Sequence, residues 1–172
     1  GFPSEPVQQV IEHRGDALVA ELIAVVRKYV DANSDMIVRR VRVNRGCSPQ
    51  QVLEATGRRL YVAEDVVRTM PRGDGEDAEV VFFRVGRFVS DEDLEEEYEL
   101  RGLKPADPYS LAQANTDDPA FADERPNATH WKDSRGQWCY AVFSRWRDER
   151  RVDVSRHAND WYDHWWFAGL RK

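Results

Sequence analysis

The sequence predicts an α+β fold, on three observations. A helical apolar spacing runs through the first thirty residues or so, a strand-like stretch (EVVFFRVGRFV, Glu79 to Val89) precedes two short helix signals, and everything after Ala128 reads as short strands and turns. Strands and helices that segregate in this way favour a mixed fold over regular βα alternation.

The elements follow in order. Ser4 is placed as an N-cap with Pro6 in the first turn. Val7, Val10, Ile11, Leu18, Leu22, Val25, Val26 and Tyr29 keep a helical spacing, with a kink expected near Gly15 and an end at Asn33-Ser34-Asp35. Met36 to Val43 alternates apolar residues with arginine and reads as a strand. Ser48-Pro49-Gln50-Gln51 is a capping box for a short helix that stops at Gly57, and Leu60-Tyr61-Val62 is a further strand. Arg72-Gly73-Asp74-Gly75 is the clearest break in the chain, so the predicted division is residues 1–77, a small α-β-α-β region, and residues 78–172. Ser90 caps a helix to about Arg101, stopped by Gly102, and Asp107-Pro108 opens another to Ala114. Thr129 to Lys132 and Gln137 to Trp146 flank the turn Asp133 to Gly136, Arg151 to Arg156 forms a third strand, and Trp165 to Arg171 forms the last. That order allows the last strand to pair beside Glu79 to Val89.

Apolar residues at 41% against 33% charged suit a folded globule rather than a disordered chain. No apolar run reaches bilayer length, and the start lacks a basic segment followed by an apolar one, so neither a membrane nor a signal peptide is expected and the location is read as cytoplasmic. Cys47 and Cys139 lie far apart without CxxC or zinc spacing and are read as two buried or half-buried thiols. Asn127-Ala128-Thr129 matches a glycosylation sequon, a pattern common by chance.

Charge is uneven. Residues 1–75 carry 11 basic and 10 acidic side chains, residues 76–125 carry 5 and 15, and residues 126–172 carry 9 and 6, so the acidity is concentrated in the middle. Most of it comes from Asp91 to Glu99, read as a solvated helix face.

Four of the six tryptophans, Trp146, Trp161, Trp165 and Trp166, fall within twenty-one residues. Arg147, Asp148, Arg151, Asp153, Ser155, His157, Asn159, Asp160, Tyr162, Asp163 and His164 are threaded among them and among Val152 and Val154. On a strand, this pattern puts the polar set on one face and the apolar set on the other, and in a loop it projects the polar set outward. Such side chains make the adaptable contacts of binding loops. Three adjacent aromatics, Trp165-Trp166-Phe167, place one side chain opposite the other two.

The tail RWRDERRVDVSRHANDWYDHWWFAGLRK resembles the C-terminal variable region of proteins diversified by diversity-generating retroelements, most strongly in WWFAGLRK and with the lead-in ELRGLKPADPYSLA. In that family, errors at template adenines turn Asn codons into many others. Ser, Asp, His, Tyr, Asn and Arg are reachable in this way, and Lys, Glu, Gln and Met, which are not, are absent from residues 150–171. The resemblance implies a C-type-lectin-like domain over residues 78–172 with a variable region at about 144–172. It implies ligand contact by Arg147, Asp148, Arg151, Asp153, Ser155, His157, Asn159, Tyr162, Asp163 and His164. The frame would be Trp146, Val152, Val154, Trp161, Trp165, Phe167 and Gly169. The partner expected is a protein or other macromolecule, with no cofactor, metal or catalytic residue assigned. Residues 1–77 carry no such resemblance.

Three alternatives compete. His157 and His164 with Asp153, Asp160 and Asp163 are the types an acid–base or metal site uses, although no HExxH, phosphate loop or GxSxG accompanies them. Arginines 145, 147, 150, 151 and 156 among tryptophans suit single-stranded nucleic acid, although Asp148, Glu149, Asp153 and Asp160 offset their field. A structural accessory protein without a ligand at this end is the third.

Overall fold

The computed structural model describes residues 15–26, 29–30 and 35–172. The chain divides into two compact units, Gly1–Ser34 and Asp35–Lys172. In the first, residues 15–26 are helical (α1), as are 29 and 30. The cap expected at Ser4, the turn at Pro6 and the stop at Asn33-Ser34 lie outside the described residues.

The second unit is mixed α+β. Its elements are β1 (Ile37–Arg42), α2 (Pro49–Glu54), β2 (Arg59–Val62), α3 (Glu64–Val67), β3 (Asp77–Arg84), α4 (Asp91–Leu100), β4 (Leu103–Pro105), α5 (Pro108–Asp117), α6 (Phe121–Glu124), β5 (Asn127–Lys132), β6 (Trp138–Trp146), β7 (Glu149–Arg156) and β8 (Trp166–Arg171). Local chemistry sets the helix starts. Ser48 accepts from Gln51 N while the Gln51 side chain accepts from Ser48 N, closing the capping box. Ser90 accepts from Asp93 N to start α4, and Asp107 accepts from Ser110 N to start α5. Gly102, at φ 67°, ends α4 in the left-handed conformation expected of its C-terminal stop.

The strands form one sheet in the order β1-β3-β8-β5-β6-β7-β2, with β4 also on β8. Its pairs are antiparallel except β5 with β8 and β2 with β7. The last strand does lie beside β3, with Phe83 opposite Phe167. A separate layer ending at residue 77 does not form: β1 pairs with β3 and β2 with β7, at the two edges of the common sheet, so the compact unit begins at Asp35. The break at residues 72–75 is a pinned turn rather than a linker. Arg45 Nε donates to Gly75 O at 2.6 Å, and Arg72 Nη1 donates to Arg45 O and Cys47 O at 2.8 and 2.9 Å.

Each face of the sheet carries an apolar layer. On one, Leu53 of α2, Val66 of α3, Leu111 of α5 and Phe121 of α6 pack on Phe82, Phe143, Val152 and Val154. On the other, Leu94 and Tyr98 of α4 and Trp161 pack on Val81, Phe83, Val142 and Phe167. The run Val80 to Phe83 is buried on both sides, which is why it lacks alternation. Trp166 faces the first layer while Phe167 and Trp165 face the second, as period-two geometry requires. Cys47 is half-buried and Cys139 buried, both as free thiols. Asn127 and Thr129 of the sequon are buried and bonded to Asn115 and Ala106 O, so the motif is core structure in the folded chain. No helix among the described residues is long and apolar enough to cross a membrane.

Candidate functional site

On the second face, β6 and β7 are left open beside the start of α4, and a groove of about 700 Å³ lies there. Its floor is built by strand alternation. Val152 and Val154 point into the core with no exposed surface, so Arg151, Asp153 and Ser155 point the other way. Across the ladder, Ser144 pairs with Arg151, Val142 with Asp153 and Tyr140 with Ser155. The 157–165 loop supplies the wall. It is tied down by a two-hydrogen-bond bridge between Trp161 and Val89, at 2.7 and 3.1 Å, and by Trp166 N donating to Pro126 O at 2.9 Å.

Six of the ten predicted contact residues line this groove: Arg151, Asp153, His157, Asn159, Tyr162 and His164. The other four do not. Ser155 shares the floor's face but is not among the lining residues. Asp163 is exposed beside His164, and Arg147 and Asp148 form the exposed β6–β7 turn, where Arg147 takes φ 54°.

Arg151 and Asp153 are not two independent contacts. Arg151 Nε and Nη2 donate to the two Asp153 carboxylate oxygens at 2.9 and 2.7 Å, and the guanidinium lies 4.0 Å from the centre of the Tyr61 ring. The Asp153 hydrogen bonds hold the Arg151 pKa above its ordinary value. Tyr61 in turn donates to Glu149 Oε1 at 2.6 Å, an arrangement set by the parallel β2–β7 pair.

His157 departs most from the expectation of an outward loop residue. It is half-buried, and its Nδ1 lies 2.6 Å from Asp91 Oδ2. Asp91 is the first residue of α4, where the helix dipole favours a carboxylate. It accepts from His130 Nδ1 at 2.7 Å and Trp161 Nε1 at 2.9 Å, and His130 Nε2 reaches Glu95 Oε1 at 2.7 Å. Burial pushes the Asp91 carboxyl up, but the bonds from His130, His157 and Trp161 outweigh it and hold the group well below the usual carboxylate range. Burial likewise pushes His130 down, while Asp91 and Glu95 pull it further the other way, to a net rise. An imidazole with both nitrogens against carboxylates is fully bonded only as the cation. The run Asp91 to Glu99 is therefore not simply a solvated face: Asp91 and Glu97 are buried, and Glu97 pairs with buried Arg101 at 2.6 Å.

Other side chains at the groove escaped the sequence reading. Trp146, expected in the frame, is 63% exposed and lines the groove. Tyr140 and Ser144 line it too, and their signal was the period-two pattern of β6 carried across the hairpin; Arg145 and Arg156, which the sequence offered for nucleic acid, also line it. Phe88 is exposed and meets Tyr162 edge-on at 5.4 Å. The arginines of this end are largely paired: Arg145 and Arg150 with Asp123, Arg151 with Asp153 and Arg156 with Asp65. Among the described residues, no group of three His, Cys, Asp or Glu side chains could hold a metal ion.

Fold and site together define an α+β protein with an open, aromatic-walled groove floored by two antiparallel strands. Comparison with protein-family models, curated proteins and solved structures finds no match to this chain.

Proposed function

We propose that this protein binds a macromolecular ligand, most simply another protein, through a diversified surface carried on a fixed apolar frame, as a variable protein of a diversity-generating retroelement. The observation that carries this reading is the division of β7, with Val152 and Val154 wholly in the core and Arg151, Asp153 and Ser155 on the opposite face. A backbone held by buried side chains at about 1.5–3 kcal/mol each leaves its other face free to vary at little cost. The C-type-lectin-like assignment is part of the same proposal. It is supported by the pairing of β3 with the terminal β8, with α4 and α5 between them in sequence and β5, β6 and β7 following. Carboxylate pairing of the arginines weighs against phosphate recognition.

On this reading the proposed variable set divides by exposure. Asn159, Tyr162, Asp163 and His164 are exposed, whereas His157 is tied to Asp91 and serves the frame as well as the groove. The test is genomic and then biochemical. A reverse-transcriptase gene nearby, and a near-repeat of about the last ninety bases that differs at adenines, are expected for a region of residues 144–172. A library randomised at 159, 162, 163 and 164 should stay folded and yield binders to arbitrary proteins. No near-repeat in the genome removes the retroelement part, and a library that loses its fold removes the display part.

A further inference from the structure

The rings and charges of the groove narrow what it can hold. Tyr140, Trp146, Trp161, Tyr162 and Trp165 line it, and they do not make one flat platform. Trp161 meets Tyr140 at 5.9 Å and 79° and Trp165 at 6.1 Å and 83°, so neighbouring rings stand almost at right angles. A flat platform suits a stacked base, whereas rings turned about a recess suit a compact cation, which is drawn to the negative face of a ring. This end of the fold already uses that attraction between Arg151 and Tyr61.

Charge points the same way. The three arginines that line the groove are held by carboxylates: Arg145 shares Asp123 with Arg150, Arg151 forks onto Asp153, and Arg156 spans Asp65 and Asp133. Four arginines thus meet four carboxylates. Asp160 also lines the groove, is exposed, and has no hydrogen bond or ion pair with any described residue. The two histidines of the lining each stand against a carboxylate, His157 at Asp91 and His164 at Asp163. The rim adds more acid than base, since the β6–β7 turn sets Arg147 beside Asp148 and Glu149.

We infer, on the premise that this face is the binding surface, that the groove receives the basic side chain of a protein ligand. A lysine or arginine would set its charge against the aromatic walls and Asp160. The volume of about 700 Å³ is that of a site able to enclose such a side chain together with flanking residues.

Titration of the full chain with N-acetyl-lysine methylamide, N-acetyl-arginine methylamide and the uncharged N-acetyl-norleucine methylamide tests this, read from the indole N–H resonances. At about pH 8 an ordinary imidazole is neutral and adds no charge. At least one basic probe should bind in the millimolar range, about tenfold more tightly than the norleucine probe. Asp160→Asn, at an exposed position, should keep the fold and weaken that binding severalfold. Asp163→Asn removes the same charge outside the lining and should leave binding within about twofold. Tyr162→Leu keeps an apolar wall without the ring, and should weaken the basic probes but not the norleucine one. Equal binding of norleucine, tighter binding of N-acetyl-glutamate methylamide, or binding that Asp160→Asn and Tyr162→Leu leave unchanged overturns the inference. So does the absence of shifts from both basic probes well above millimolar concentration. Library members that capture proteins through the groove while the basic probes fail would leave the display reading standing and remove only this one.

Discussion

Asp91 accepts three hydrogen bonds inside the protein, from His130, His157 and Trp161, so Asp91→Asn removes charge with almost no change in volume. It leaves the His130 cation facing only Glu95, and breaking a buried pair in this way costs about 3–5 kcal/mol. Urea denaturation followed by tryptophan fluorescence should show that loss. Asn159→Ser and Tyr162→Ser, on the exposed rim, should stay within about 0.5 kcal/mol of the parent. The same cluster sets a pH dependence. The raised pKa of His130 makes its contribution complete below the unfolded value of about 6.5, and the contribution is lost as pH rises through the folded value. The depressed Asp91 pKa makes its contribution complete above about 3.9, and that one is lost only in stronger acid. Thermal midpoints of the parent and of His130→Gln should therefore differ most between about pH 4 and 6.5 and converge on the alkaline side. A constant difference from pH 5 to 10 would mean that His130 is not held as the cation.

At the level of elements, Gly73 shows how one turn serves two others. It sits at φ 69°, and a Cβ there would overlap the Asp107 carboxylate that caps α5 and pairs with Arg45 at 2.9 Å. Gly73→Ala should cost on the order of 1–3 kcal/mol through backbone strain and the displaced cap, read as a lowered urea midpoint. The sequence carried much at this scale, for reasons that can be named. The caps at Ser48, Ser90 and Asp107 act within three residues, and the period-two pattern of β7 is local, so both could be read along the chain. What lay beyond reach was partnership across distance. Nothing near Asp91 signals that its partners stand 39, 66 and 70 residues away, and an acidic run without apolar periodicity looks solvated. The placement of β2 beside β7 is of the same kind, because a four-residue strand gives no sign of its neighbour. Trp146, which the resemblance assigns to the frame, stands at the end of β6, past the last core residue Phe143, and is left in solvent.

Across the whole molecule, one sheet makes residues 35–172 a single cooperative body, with β1 and β2 at its two edges. A core truncation far from the groove should therefore unfold the groove. Leu53→Ala in α2 should cost about 2–5 kcal/mol, and far-ultraviolet circular dichroism and tryptophan fluorescence should report one shared transition. Two separated transitions would restore an independent N-terminal region. The position of β8 bears on how the sheet closes. The strand that pairs with β3, β4 and β5 at the middle of the sheet comes after all of its partners in sequence. Without Trp166 to Arg171, no strand pairing joins β1 and β3 to β5, β6, β7 and β2, so these six residues complete the ladder. A substitution that keeps β8 from pairing would leave both halves with a bare edge, and such chains would be removed by proteolysis.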